Sequence, residues 1–255
     1  GIGADADSYG FLLGYERRLS EVFNAGAFLG FGRTELDYTG NYSMNSEDQD
    51  ALTFGLHLLY EKPMWYVDFM ASYSWIDHEF TGRTGVNNEL GESDKYNSSA
   101  IVAQVLPGLK FAIGETAGIY PYVGLRWTYW DTESHTTDVA IPAWRKTYDS
   151  FDENWLKAIA GVDADKRWKA ASNSTMRLYG GARIEQTLNN DEVEVAQSLQ
   201  GIRAIGKQDI SETSVLGNLG LQYLRGNISL TLDLTGEHNS DYDAYSGFLR
   251  FGYKF

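Results

Sequence analysis

The stretch that decides the fold is the carboxyl-terminal one, residues 245–255 (YSGFLRFGYKF). Every second residue builds one face, Tyr245, Gly247, Leu249, Phe251, Tyr253 and Phe255, and the residues between build another, Ser246, Phe248, Arg250, Gly252 and Lys254. A period of two is the signature of a β-strand. The first face is almost wholly apolar and gathers aromatic rings toward its end, while the second carries two cations. A strand with one face in lipid and the other in a wet interior has this pattern, with Tyr253 and Phe255 in the aromatic girdle at the membrane boundary. An edge strand of a soluble antiparallel sheet alternates too, so the remainder of the chain has to discriminate.

Counting this one, about eleven stretches alternate with period two. The others are residues 8–18, 22–36, 52–60, 65–77, 99–113, 119–130, 154–165, 176–187, 214–224 and 228–237. Short turns and long links separate them in alternation. The short turns fall near residues 19–21, at Lys62-Pro63, after Ile113, at 166–174 and at Gly226-Asn227, the last offering the positive-φ residues of a two-residue hairpin loop. The longer links are 37–50, 78–97, 131–152, 188–212 and the shorter 238–241, and they hold most of the acid. Pro107 lies inside one strand, where it lowers the strand signal or marks a bulge. Residues 154–165 suit a helix as readily as a strand.

Composition agrees with many strands and tight turns: 255 residues with 17 Tyr, 7 Trp and 27 Gly beside only 4 Pro. Mean hydropathy is −0.36, and no run approaches the roughly 18 apolar residues of a membrane helix. That excludes a helical membrane protein but not a barrel, whose inward face dilutes the average. There is no Cys, so no disulfide or thiolate metal site is available, and the net charge of −14 argues against a nucleic-acid partner. Residues 1–7 lack the basic and apolar regions of a signal peptide, which for an exported protein implies a mature or truncated sequence.

The expectation is therefore an all-β chain: a transmembrane up-and-down antiparallel β-barrel, one domain over residues 1–255. Short turns on one side and long loops on the other mark such barrels, which normally have an even number of strands beginning and ending in the periplasm. Eleven is one too few. Twelve are expected in the complete barrel, with the first strand upstream or missing, unless two strands hide in a link such as 137–146. The long loops would be external and the carboxyl terminus periplasmic.

The alternation assigns Asp68, Lys110, Arg126, Arg183, Glu185, Asp233 and Arg250 to the lumen, together with Glu16, Arg18, His57, Asp163, Asp165, Arg177, Glu237 and Lys254. Glycines such as Gly55, Gly108, Gly161 and Gly220 share that face. Such charges can line a polar conduit or pair with one another and stiffen the wall. Leu230 and Leu232 are assigned to lipid, where Arg should be costly, and Ser229 and Thr231 to the lumen, where Arg should be mild. Of the four His, His78, His135 and His238 have sequence neighbours Asp77 and Glu79, Glu133, and Glu237. Acids fill these links, no nucleophile elbow, H-E-x-x-H pair, P-loop or dinucleotide fingerprint occurs, and no catalytic residue, cofactor or metal is expected.

Gly14-Tyr15-Glu16-Arg17 before a tight turn, Ala27-Phe28-Leu29-Gly30-Phe31, Trp65-Tyr66-Val67-Asp68 at a strand start, Tyr120-Pro121-Tyr122-Val123-Gly124-Leu125 and the terminal strand 247–255 occur in an order and spacing that span nearly the whole chain. In these features the sequence resembles the carboxyl-terminal translocator, or β-domain, of the autotransporter (type V secretion) family of Gram-negative bacteria. The resemblance implies a twelve-stranded barrel in the lipopolysaccharide-bearing outer membrane that delivers or anchors its own N-terminal passenger. It also implies that Leu249, Phe251, Tyr253 and Phe255 form the signal read by barrel-assembly machinery. Some family members cut their passenger inside the barrel with an Asn on a lumenal helix and lumenal acids. Asp68 falls where one such acid lies, but Leu106 and Tyr120 stand where others would be, so self-cleavage is not expected. The alternative to the translocator is a stand-alone small porin or outer-membrane barrel enzyme, with a soluble β-sandwich third.

Overall fold

A computed structural model describes residues 4–40, 43–171, 173–189, 192–209 and 212–253. Eleven long strands follow one another as an antiparallel meander: β1 (Ala4–Arg18), β2 (Phe23–Tyr38), β3 (Ser46–Glu61), β4 (Trp65–Thr84), β5 (Leu90–Leu109), β7 (Ala117–Thr132), β11 (Phe151–Ala171), β12 (Ser174–Thr187), β15 (Thr213–Arg225), β16 (Ile228–His238) and β17 (Asp243–Tyr253). Short strands β6 (Phe111–Ile113) and β9 (Asp138–Val139) join the same sheet, on β7 and β5. The links 131–152 and 188–212 hold β8 (His135–Thr136), β10 (Lys146–Tyr148), β13 (Glu192–Leu199) and β14 (Ile202–Asp209), which form a separate four-stranded sheet. These pieces add no barrel strand, and residues 154–165 are strand rather than helix.

The long sheet curls. Arg250 on β17 donates to the Tyr179 hydroxyl on β12 at 3.2 Å, past two intervening strands, and side chains can meet across skipped strands only on a concave face. The concave face holds the even-numbered residues of β4, β5 and β7, the convex face the odd. Burial is inverted relative to a soluble domain, in which apolar side chains are the buried set. Glu47, His78, Glu92, Asp94, Ser98, Asp165 and Glu185 are buried, whereas Phe54, Leu56, Val123, Leu219 and Leu234 are half or more exposed on the convex side. An apolar surface of that extent needs a partner phase, and the strand geometry matches lipid. Along β4 the convex band runs from Trp65 to Trp75, whose indole N–H donates to Asp77 at 3.0 Å where the polar region begins. Ten residues at roughly 3.3 Å each, tilted by about 45°, give a band close to the ~25 Å of a barrel's apolar belt.

Aromatic rings on the concave face lie over glycines of the neighbouring strand. Phe28 faces Gly55, Tyr66 faces Gly108, Tyr122 faces Gly161 and Tyr179 faces Gly220. A Cβ at those four glycines would land 1.9, 2.4, 2.6 and 2.2 Å from the ring atoms. These four inward-facing glycines are thus seats for rings.

Several boundaries differ from the alternation. Strands β3, β4 and β5 continue well beyond residues 52, 77 and 99 into the links, because beyond the apolar band both faces are polar and period two no longer shows. Pro107 causes no register shift: β5 stays paired with β4, while its ladder to β7 lacks the pairs at Leu106 and Pro107 and resumes in the same register at Gly108. In the β15–β16 hairpin only Gly226 takes positive φ (57°) among the two loop residues. Among the described residues β1 pairs only with β2 and β17 only with β16, so both outer edges of the sheet are open.

Candidate functional site: the concave wall and the long-link end

The concave wall carries four polar groups at different heights, three built on Arg–carboxylate pairs and one on a His–Asp pair. Arg126 on β7 donates to Gln104 Oε1 (3.0 and 2.7 Å) and to Glu185 Oε2 on β12 (2.9 Å), and Arg183 Nε lies 2.9 Å from Glu185 Oε1. Asp165 accepts from the Tyr120 hydroxyl (2.7 Å), Arg177 Nε (2.7 Å) and Arg167 Nε (3.0 Å). Asp233 accepts from Tyr179 and from Arg250 Nε (2.8 Å). His57 Nε2 and Asp68 Oδ1 are 3.0 Å apart. Side chains from neighbouring strands meet because residues directly opposite or diagonal on one face of a sheet lie within reach of each other.

Sequence-assigned residues fall as follows. Asp68, Arg126, Arg183, Glu185, Asp233 and Arg250 all lie in these concave groups. Lys110 lies in the break between β5 and β6 at the short-turn end, its Nζ on Glu61 and its backbone N–H on the Met64 carbonyl (2.9 Å). Arg18 turns to the Ser20 and Glu21 carbonyls of its own turn (3.0 and 2.7 Å). Leu249, Phe251 and Tyr253 sit exposed on the convex face of β17, while Lys254 and Phe255 lie outside the described residues. Thr231 is only 4 % exposed, so a large side chain has no room there, contrary to the tolerance expected of it.

At the long-link end the polar groups are more deeply buried. Glu47 on β3 accepts from His78 Nδ1 (2.7 Å), Tyr38 (3.0 Å), Gln49 (2.9 Å) and Tyr96 (3.1 Å), and His78 Nε2 lies 2.6 Å from Ser98 Oγ. Burial pushes the Glu47 carboxyl upward, but hydrogen bonds from His78, Gln49 and Tyr38 outweigh it and hold it below the usual range. The His78 ring stacks on Tyr96 (centroids 4.3 Å), Tyr96 on His135 (4.1 Å) and His135 on Tyr148 (4.8 Å). Those last two rings belong to segment 133–150, which is folded onto the concave side of β5. Lys146 Nζ pairs with the buried Glu92 at 2.7 Å, and β9 pairs with β5 at Glu92 and Ser93. Asp94, desolvated by burial, is pushed upward despite the opposing pull of His135, whose Nε2 lies 3.7 Å away.

The acids that sequence proximity suggested for the His are not the ones used. His78 turns to Glu47 rather than Asp77 or Glu79, His135 bonds the Glu133 carbonyl (3.0 Å), and His238 pairs with Asp243 (2.6 Å). Among the described residues no cluster of three His, Cys, Asp or Glu is placed to hold a metal.

An eleven-strand meander with an apolar convex belt and an ion-paired concave wall is the architecture of an outer-membrane β-barrel. The family model described as the autotransporter β-domain matches residues 1–235. The chain belongs to that family. Among solved structures, the translocator domain of the autotransporter NalP from Neisseria meningitidis is 17% identical with a TM-score of 0.81, covering 99% of this chain and 82% of that one. The transport unit of the autotransporter AIDA-I from Escherichia coli is 14% identical, TM-score 0.72, covering 100% and 84%. The β-domain of the Bordetella autotransporter BrkA is 12% identical, TM-score 0.66, covering 99% and 92%. At such identities these likenesses speak to the fold. No curated protein sequence matches the chain. The autotransporter β-domain is an outer-membrane barrel that serves passenger translocation, and the porin or barrel-enzyme alternative is not favoured.

Proposed function

We propose that this translocator passes its own N-terminal passenger through the space enclosed by the concave wall, with the long links outside the cell and the end of β17 in the periplasm. The observation that carries this is the pairing of charges on that wall. Arg126 with Glu185, Arg177 with Asp165 and Arg250 with Asp233 leave a polar surface whose fixed charges are matched within it. An extended polypeptide in transit needs such a wet surface without a strong single-sign trap. The translocation step asks for no bond making or breaking, and self-cleavage of the passenger is not part of the reading. One barrel domain spans the chain, and a twelfth strand between the open edges of β1 and β17 completes the cylinder.

The assembly partners follow from the same geometry. Leu249, Phe251 and Tyr253, with Phe255, form the stripe that barrel-assembly machinery reads, and the acidic long-link end faces the lipopolysaccharide leaflet. A passenger carrying an epitope, joined upstream of Gly1 in the full chain, is expected to be cleaved by protease added to intact cells. An epitope that stays protected while the barrel is folded in the outer membrane contradicts translocation. Deleting Phe255 should lower the yield of folded barrel, and an unchanged yield removes the assembly signal from the account.

A further inference from the structure

We propose that Ser98 is an activated nucleophile, with His78 as its general base and Glu47 orienting the imidazole, and that this trio cleaves short-chain carboxylic esters reaching the long-link end of the barrel. The inference is independent of translocation, which uses no such chemistry.

Register creates the site. His78 on β4 pairs directly with Gln49 on β3 and with Tyr96 on β5. Glu47 and Ser98 each lie two residues from those partners, so the three side chains run as a diagonal across three adjacent strands on the concave face. A nucleophile hydrogen-bonded to a base that a third group orients is the diagnostic arrangement of an activated hydroxyl, and the distances here are 2.6 Å from Ser98 Oγ to Nε2 and 2.7 Å from Nδ1 to Glu47 Oε1.

The tautomer follows from the hydrogen bonds. Ionised Glu47 can only accept, so His78 carries its proton on Nδ1 and presents the Nε2 lone pair to the Ser98 hydroxyl. Tyr38, Gln49 and Tyr96 also donate to Glu47. A buried acid satisfied in this way stays ionised and stabilises the imidazolium that forms when the base takes the serine proton. The environment is water-poor: the His78 side chain is 4% exposed and the Ser98 residue 4%.

Access is through segment 133–150. Its His135 ring covers Tyr96, and the Tyr96 ring, carried by β5, in turn lies on His78, so the trio opens when this strap is displaced and the Tyr96 ring swings off the imidazole. With the strap aside, Ser98 Oγ attacks the ester carbonyl carbon and its proton passes to His78 Nε2. The C–O bond to the alcohol breaks, the alkoxide takes the proton from His78, and the acyl group stays on Ser98. Water then attacks the acyl carbon, losing a proton to His78, and the carboxylic acid leaves as Ser98 recovers its hydrogen.

The experiment uses the folded barrel in detergent micelles, a fluorophosphonate probe and p-nitrophenyl butyrate, with the labelled residue located by mass spectrometry. Probe on Ser98, lost in Ser98→Ala and faster in a deletion of 137–146, is the expected result. Replacing His78 by Gln should slow labelling about 100-fold or more, the scale of a positioned general base. Should the deletion not fold, His135→Ala combined with Tyr96→Ala removes both rings stacked over His78 with the backbone intact. Absence of probe from Ser98 in a folded strap-opened variant overturns the proposal. Equal labelling of wild type and His78→Gln overturns it as well, since the hydroxyl would then react without its base.

Discussion

Between Trp65 and Trp75, β4 turns Trp65, Val67, Phe69, Ala71, Tyr73 and Trp75 to the convex side. Beyond Trp75 the same side of the same strand carries Asp77, Glu79, Thr81 and Arg83. The two halves share backbone geometry and register with β3 and β5 but differ in medium. In the lower half one face meets oil, so only the concave side can hold polar groups, and these are satisfied as ion pairs. In the upper half both sides meet water or protein. Asp50 stands directly opposite Asp77 and Asp48 opposite Glu79, an arrangement that costs stability in a pair of strands and that lipid would not tolerate. The upper half is held instead by the concave network of Glu47, His78, Ser98 and the ring stack. The difference teaches that the solvent beyond each face, more than strand propensity, sets the residue pattern.

The largest effect that can break this contrast is a charge on the lower convex side. Leu230→Arg or Leu232→Arg should cost about 2–4 kcal/mol of barrel stability near mid-bilayer, while Ser229→Arg on the concave side costs less. Equilibrium unfolding in lipid vesicles reads both, and equal penalties would erase the distinction between faces. Gly55→Val tests the seats under the rings. With its Cβ directed 1.9 Å from the Phe28 ring, overpacking of about 1–3 kcal/mol is expected, relieved in the double variant with Phe28→Ala.

The upper half should fail locally. Glu47→Ala leaves the Tyr38 and Tyr96 hydroxyls and the His78 N–H unpaired, at about 1–3 kcal/mol for each buried group without a partner. The readout is faster proteolysis within 133–150 with the transmembrane strands still protected. Acid should do the same more gently. Because the folded Glu47 pKa lies below its unfolded value, its contribution is present above the ordinary Glu value of about 4.3 and fades as pH falls through the folded one. Loop proteolysis by an acid-active protease should therefore rise below about pH 4 in wild type and change little in Glu47→Gln.

How far the sequence could be read follows the same division. Where lipid touches the convex face, as along Trp65–Trp75, Ile228–Leu234 and Tyr245–Tyr253, alternation located the strand and its faces. Where water lies on both sides the pattern dissolves, so the alternation ends at Asp77 although β4 runs to Thr84, and begins at Ser99 although β5 begins at Leu90. The β13–β14 hairpin was hidden in a link for the same reason. Glu47 and Ser98 could not be tied to His78, because 31 and 20 residues separate them and only the register of three strands brings them together. A usable signal existed in principle: once β3, β4 and β5 are extended into the links, their inward parity puts Glu47, His78 and Ser98 on one face.

The central claim, oil on the convex side and water on the concave one, is tested most directly at adjacent residues of β16. The chain has no Cys, so Leu234→Cys and Thr235→Cys each give a single reporter, both side chains being exposed and on opposite faces. In the barrel reconstituted into vesicles, Thr235→Cys should react with a charged, membrane-impermeant thiol reagent. Leu234→Cys should resist that reagent and, once labelled with a fluorophore, be quenched by a lipid-borne quencher. Equal reactivity at the two positions, or the reverse order, would contradict the account.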